Sequence, residues 1–239
     1  GNSTLIIRIS GDAGWTGLRI IGNVEGNLSM ATINDLASDG HFLRCEDWVV
    51  GRDSELEFAT LSAGGFLNKS DIRVDLANRG AQMRAGIASN GYSSRHDDHH
   101  VEIKHSIGNT DSSFVMHATC DDSSHSVGTG LLTICEGADG SDAGQVFRNL
   151  LLSEKSRAEA IPELEVLADD VKAAHGAASA PIDVNQLHYL ASRGLSSDEA
   201  SALIVEGFLM DAFREIKSEE VVAVMRTRLL VHLECLMNG

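Results

Sequence analysis

Proline is nearly missing from this chain: only Pro162 and Pro181 occur in 239 residues. Cysteine is sparse too, and Cys45, Cys120, Cys135 and Cys235 lie far apart with no CxxC pair. Neither a disulfide framework nor a closed zinc site is therefore indicated. Positive charge is scarce: 19 Lys and Arg against 35 Asp and Glu leave a formal net charge of −16. Nucleic-acid binding depends on clustered cations that release counterions, so no nucleic-acid partner is expected, and an anionic membrane is disfavoured for the same reason. No apolar run approaches the roughly 20 residues of a membrane helix, and the N-terminus has no secretory signal pattern. The expected location is cytoplasmic. Aromatics make up 5% of residues, whereas glycine is abundant at 23 residues, a composition suited to narrow coils packed with Val, Ile, Leu and Ala.

What is present, from Thr4 to about Ala178, is a succession of short β-type runs broken by Gly, Asp, Asn and Ser. Leu5–Ile9, Leu18–Ile21, Leu56–Phe58 and Ile72–Leu76 are examples, and several alternate apolar with polar, as a strand with one buried face does. Four segments look like copies of one unit: DIRVDLANRG (Asp71–Gly80), HVEIKHSIGN (His100–Asn109), LLTICEGADG (Leu131–Gly140) and ELEVLADDVK (Glu163–Lys172). Each sets two apolar residues, two apart, before a turn. Their spacing of about 30 residues is in the range of solenoid coils. A sandwich would not require such self-similarity, so a β-helix is the preferred reading.

After Pro181 the pattern turns helical. Asp183 with Gln186 resembles a capping box and opens a helix through Leu187, Tyr189 and Leu190 that stops at Gly194. Ser196 with Glu199 opens a second, with Leu203, Ile204, Phe208, Ala212 and Phe213 at helical spacing. Ser218, followed by Glu219 and Glu220, opens a third along Val221, Val222, Met225, Leu229, His232, Leu233 and Leu236. The expected division is a β-helix over residues 1–180 and a helical domain over 181–239, the latter packed on the solenoid, on another chain, or on both. The stretch Asn149–Gly176 joins the two architectures, with strands expected at Asn149–Ser153 and Glu163–Ala168.

Several candidate sites have plain structural readings. Arg95-His96-Asp97-Asp98-His99-His100 suggests a metal cluster, but consecutive residues of an extended segment face opposite ways, so a solvated loop is expected. His105, His117 and His125 are read as structural. Cys120, Cys135 and Cys235 are read as buried thiols and Cys45 as the most exposed. Asp121-Asp122 and Asp169-Asp170 are the clearest paired carboxylates at strand ends, as a polysaccharide-acting β-helix enzyme would need, and are more simply turn residues.

PELEVLADDVKAAHGA (Pro162–Ala177), the preceding RNLLLSEKSRAEA (Arg148–Ala160) and the following LHYLASRGLSSDEASALIVEGF (Leu187–Phe208) resemble the C-terminal signature of the SufB/SufD family. HVEIKHSIGNTDSSFVMHATCDD (His100–Asp122) is a looser match. That family provides scaffold proteins of the SUF iron–sulfur cluster assembly machinery. The resemblance implies a right-handed parallel β-helix and a C-terminal helical domain that docks SufC, an ABC-type ATPase. It also implies pairing through the β-helix with a SufB-type paralog or a second copy. Longer members carry an N-terminal helical domain, whereas this sequence begins directly in strand-like residues, so that region is expected to be absent or trimmed. No GxxxxGK[ST] loop occurs here, so the nucleotide would belong to the partner. The expectation is a scaffold subunit rather than an enzyme. The alternative is a homodimer that itself holds a cluster at its interface.

The resemblance leans toward SufD. SufB-type sequences carry a cysteine at the position of Ser156 and a glutamate at that of Gly176. A serine hydroxyl is a poor ligand for soft iron–sulfur chemistry. Many SufD sequences read KCSHG where this chain has Lys172-Ala173-Ala174-His175-Gly176. His175 is the candidate iron or cluster ligand. No resident cofactor is implied beyond a transient iron–sulfur cluster. Tyr189, Arg193, Leu203, Phe208 and Phe213 are the candidate ATPase-docking residues.

Overall fold

The computed structural model describes residues 1–12 and 14–238. The strands are β1 (Asn2–Gly11), β2 (Trp15–Val24), β3 (Asn27–Leu36), β4 (His41–Val50), β5 (Glu55–Ser62), β6 (Leu67–Leu76) and β7 (Gln82–Gly91). They continue as β8 (His96–His105), β9 (Asp111–Cys120), β10 (His125–Ile134), β11 (Asp142–Leu151), β12 (Arg157–Val166) and β13 (Lys172–Pro181). Three helices follow, α1 (Val184–Ser192), α2 (Ser197–Met210) and α3 (Glu219–Asn238), with a 3₁₀ turn at Asp211–Phe213 after α2. Odd-numbered strands form a seven-stranded sheet and even-numbered strands a six-stranded one, each strand lying parallel to the next but one. The chain thus winds as a parallel β-helix of about six coils. The four repeated segments fall on successive strands of the six-stranded sheet, where Val74, Ile103, Leu132 and Leu164 stand in register.

The two sheets read differently because only one is covered on both faces. In β6, inward Ile72, Val74 and Leu76 alternate with more exposed residues. In β5, Leu56 and Phe58 face the lumen while Ala59 and Leu61 face the helices, so alternation disappears. The lumen is filled by Met30, Phe58, Ile72, Val101, Phe114 and Phe147, with the last two phenylalanine rings edge-to-face at 5.2 Å. Such a ring pair adds about 0.5–1.5 kcal/mol beyond its area.

The segment Arg95–His100 is not a solvated loop. It leads into β8, and Arg95, Asp97 and His99 point inward and are buried. Period-2 alternation sorts this charged run into an inner row and an outer row, and the inner row finds partners. Arg95 donates from Nε and Nη2 to the two Asp97 oxygens at 2.6 and 2.8 Å, and Nη2 also donates to Ser62 Oγ at 2.6 Å. His99 Nδ1 meets Ser70 Oγ at 2.7 Å. Nearby, Arg44 donates to Glu46 and Thr60, and Trp48 Nε1 donates to Glu46. Burial opposes ionisation of Asp97, but the Arg95 charge and hydrogen bonds outweigh it and hold the carboxyl at about 2. Burial lowers His99 to about 4.

The helices pack on the outer face of the seven-stranded sheet. Val205, Leu209, Phe213, Val221, Met225 and Leu229 cover Ile33, Leu61, Ala88 and Val115. Gly86 permits this approach, since a Cβ there would lie 2.5 Å from the Ala212 carbonyl oxygen. Polar contacts fix the docking. Glu57, a strand residue only 4% exposed, accepts the backbone N–H of Lys217 at 2.7 Å and of Ser218 at 3.2 Å, capping α3 from the solenoid. Arg228 Nη2 donates to Asp35 at 2.5 Å. Asp183 caps α1 through the Asn185 N–H, and Ser196 with Glu199 forms the full capping box of α2.

Candidate functional site at the open end of the solenoid

β12 and β13 are the last strands of their sheets, each paired on one edge only. Both prolines lie on these strands, because an edge is where a sheet tolerates a missing N–H. The expected strands Asn149–Ser153 and Glu163–Ala168 match the ends of β11 and β12, displaced by two residues.

His175 sits on β13. Its neighbours in register, followed back one coil at a time, are Gln145, Phe114, Ala85, Phe58 and Met30. Of these, Met30, Phe58, Ala85 and Phe114 line the lumen. His175 thus ends an inward-facing row, yet it is exposed, because no coil lies above it. Small residues flank it at the same level: Ala173 and Ala177 on β13, with Ala160 and Pro162 on β12. The imidazole is thus left open at the last coil, among small side chains and beside backbone edges that no strand covers. A neutral imidazole is a competent ligand for iron.

Ser156 does not join this open end. It lies in the turn before β12, buried, with Oγ donating to the Ser153 carbonyl at 2.8 Å. That turn follows Leu151, which pairs with Pro181 at the far end of β13 from the His175 level. At about 3.3 Å per residue, this is about 20 Å along the strand. Among the described residues no three His, Cys, Asp or Glu side chains converge as a metal site. His105, His117 and His125 have separate polar partners, although the His96 and His125 rings meet edge-to-face at 4.9 Å. His105 bonds Thr110 and Ser112, His125 meets Glu159 at 3.0 Å, and His117 Nδ1 meets the Phe208 carbonyl at 2.7 Å.

The docking candidates divide. Tyr189 is 57% exposed and Leu203 49%, and the Arg193 guanidinium stands 5.0 Å from the Tyr189 ring centroid. With Ile204 and Leu190, Tyr189 lines a depression of about 340 Å³ across α1 and α2. Phe213, in contrast, is 2% exposed and belongs to the core beneath the helices. Phe208 packs on that core and stacks on His117 at 4.7 Å. The inward face of α2 runs through Ala200, Val205 and Leu209, so of the expected stripe Leu203 faces outward while Phe208 packs on the core. Among the cysteines, Cys120 is buried as expected, but Cys235 rather than Cys45 is the exposed one, and Cys135 and Cys45 are half-buried, the latter with Sγ against Arg19. Burial raises the Cys120 thiol to about 12. No helix among the described residues is long and apolar enough to cross a membrane.

Comparison with known proteins decides the family. The model described as "SUF system FeS cluster assembly, SufBD core domain" matches residues 12–208.

The chain belongs to the SufBD core family.

The iron–sulfur cluster assembly protein SufD of Bacillus subtilis is 33% identical over 176 residues, 72% of this chain and 39% of that one. SufD of Escherichia coli is 25% identical over 210 residues, 86% of this chain and 49% of its own length. A SufBD family protein of Mycobacterium leprae is 27% identical over 246 residues, 98% of this chain and 61% of the relative. The chain therefore spans roughly two fifths to three fifths of these relatives. Membership supports a role in SUF iron–sulfur cluster assembly. Gln145, the residue beneath His175, escaped the sequence reading; its only signal was a polar residue in an otherwise apolar inward row.

Proposed function

We propose that this SufBD core chain is a SufD-like scaffold subunit in which the open end of the β-helix pairs with a SufB-type paralog or a second copy. The observation that carries this reading is the pair of one-sided strands, β12 and β13, with a lumen-facing histidine left exposed between them. An uncovered strand edge is a template for another chain. Strands of a partner would cover this small-residue end of the lumen and enclose His175. An iron–sulfur cluster built there is cargo, with His175 supplying one nitrogen and the partner supplying thiolate, since Ser156 offers none and lies elsewhere.

The same proposal assigns the outward face of α1 and α2, centred on Tyr189, Arg193 and Leu203, to a SufC-type ABC ATPase. An aromatic and an arginine beside an apolar depression are the residue types that anchor protein interfaces. Because α2 and α3 share a core with the solenoid, movement of the docked ATPase would be passed to the β-helix. Co-purification with the ATPase tests this. The double variant Tyr189→Ala, Leu203→Glu should lose at least about tenfold in retained ATPase, as loss of a hot-spot pair does. Retention equal to that of the unaltered chain would remove this face from the account.

A further inference from the structure

The three helices are not held alike. α2 and α3 share a buried core with the solenoid through Val205, Leu209, Val221, Met225 and Leu229. α1 has no buried residue, and none of its side chains belongs to that core. Leu187 and Leu190 are its half-buried residues, and α2 is its main neighbour. At nine residues α1 is also too short to hold itself, since isolated helices below about 12–15 residues are marginal in water. Charge adds nothing, because α1 has no acid in its first turn and no base in its last. What remains is the Asp183 cap, which accepts the Asn185 N–H at 2.9 Å, and a left-handed turn at Gly194, where φ is +97°.

Both ends of the segment are nevertheless fixed. The Ile182 N–H bonds the Leu151 carbonyl at 3.0 Å on the sheet side, and the Ser196 capping box starts α2 on the other. We infer that α1 is a strap that opens and closes on α2 independently of the rest of the fold, and that a docked ATPase holds it closed. The depression lined by Asn185, Gln186, Tyr189 and Leu190 of the strap and by Ile204 of α2 exists only in the closed state. A ligand of that surface binds with its intrinsic affinity multiplied by the closed fraction. Closure by the ATPase rests on the docking face proposed above, whereas the independent opening does not.

Hydrogen exchange of the full chain tests the opening. Amides of residues 188–192 should exchange within about tenfold of unprotected rates, against at least about a thousandfold slowing at residues 205–209 and 225–229. His188 is exposed and does not line the depression, so His188→Ala and His188→Gly change the strap alone. The glycine variant should close about fivefold less readily than the alanine variant, with the same urea midpoint. Protection of α1 equal to that of α2, or a urea midpoint that falls in the glycine variant, overturns the inference. ATPase present at about 100 times its Kd should slow exchange across residues 188–192 about a hundredfold, because it binds the closed strap alone. Unchanged exchange with ATPase bound overturns the closure. If Tyr189→Ala, Leu203→Glu still abolishes binding in that case, the docking face stands and the strap's role in it falls. If that double variant binds as the unaltered chain does, the docking face itself has failed, and the exchange of the free chain decides the independent opening.

Discussion

Replacing Glu57 with alanine should loosen the helices from the solenoid, and the size of the effect follows from the contacts. The carboxylate accepts the N–H groups of Lys217 and Ser218 and the hydroxyl of Ser29 at 2.9 Å. Helix N-termini leave N–H groups without intrahelical partners, and a carboxylate there also meets the favourable end of the helix dipole. Each buried N–H left unmet costs about 1–3 kcal/mol, and the lost charge–dipole attraction about 0.3–1 kcal/mol. Lys217 is exposed and Ser218 half-buried, so water relieves part of this. The net loss should be about 2–3 kcal/mol, close to 1 M in urea midpoint for a slope of roughly 2.5 kcal/mol/M. Glu57→Gln, which keeps one acceptor oxygen, should lose about half as much. Hydrogen exchange should rise first at Lys217–Val222. A loss under about 0.5 kcal/mol, or unchanged protection in that turn, would refute the claim that the solenoid caps α3.

Acid sensitivity should appear in two stages. Burial holds His99, His105 and His232 at about 4, against an ordinary value of 6.5. The unfolded chain therefore takes up more protons between pH 6.5 and 4, and stability should fall as pH drops through that window, by up to about 3 kcal/mol per histidine. Asp97, held at about 2 against 3.8, adds a further loss below pH 4, and chemical denaturation across pH 3–7 checks both stages. Gly130→Ala should cost about 1–3 kcal/mol, because its Cβ would meet Gln145 and the Phe147 ring at 2.4 and 2.7 Å; thermal melting tests it. Alkylation followed by mass spectrometry should label Cys235 first and Cys120 only on unfolding.

The coil repeat was legible because inward apolar pairs recur once per turn on the six-stranded sheet, whose outer face stays open. The helix starts were legible through Asp183 and Ser196, whose capping is local chemistry. Other features depended on register between coils. The steps from Asn27 to Glu55, Glu55 to Gln82 and Asp111 to Asp142 span 28, 27 and 31 residues, so spacing alone does not place Gln145 under His175. The burial of Arg95, Asp97 and His99 was hidden because inward charges break the apolar alternation that marks a strand, and their partners Ser62 and Ser70 lie on other strands. The phase of α2 was misjudged for a related reason: several apolar faces compete, and packing on the sheet beneath buries Val205 and Leu209 while Gly86 admits Ala212 and Phe213.

The most direct test of the pairing end is hydrogen exchange on β12 and β13, measured for the chain alone and for its co-purified complex with a SufB-type paralog or, if it self-associates, as a dimer. The account predicts that the alternate amides of β12 and β13 that face the open edge exchange freely when the chain is alone and become protected in the assembly, while those bonded to β10 and β11 are protected in both. A stable assembly with unchanged exchange along both strands would contradict it.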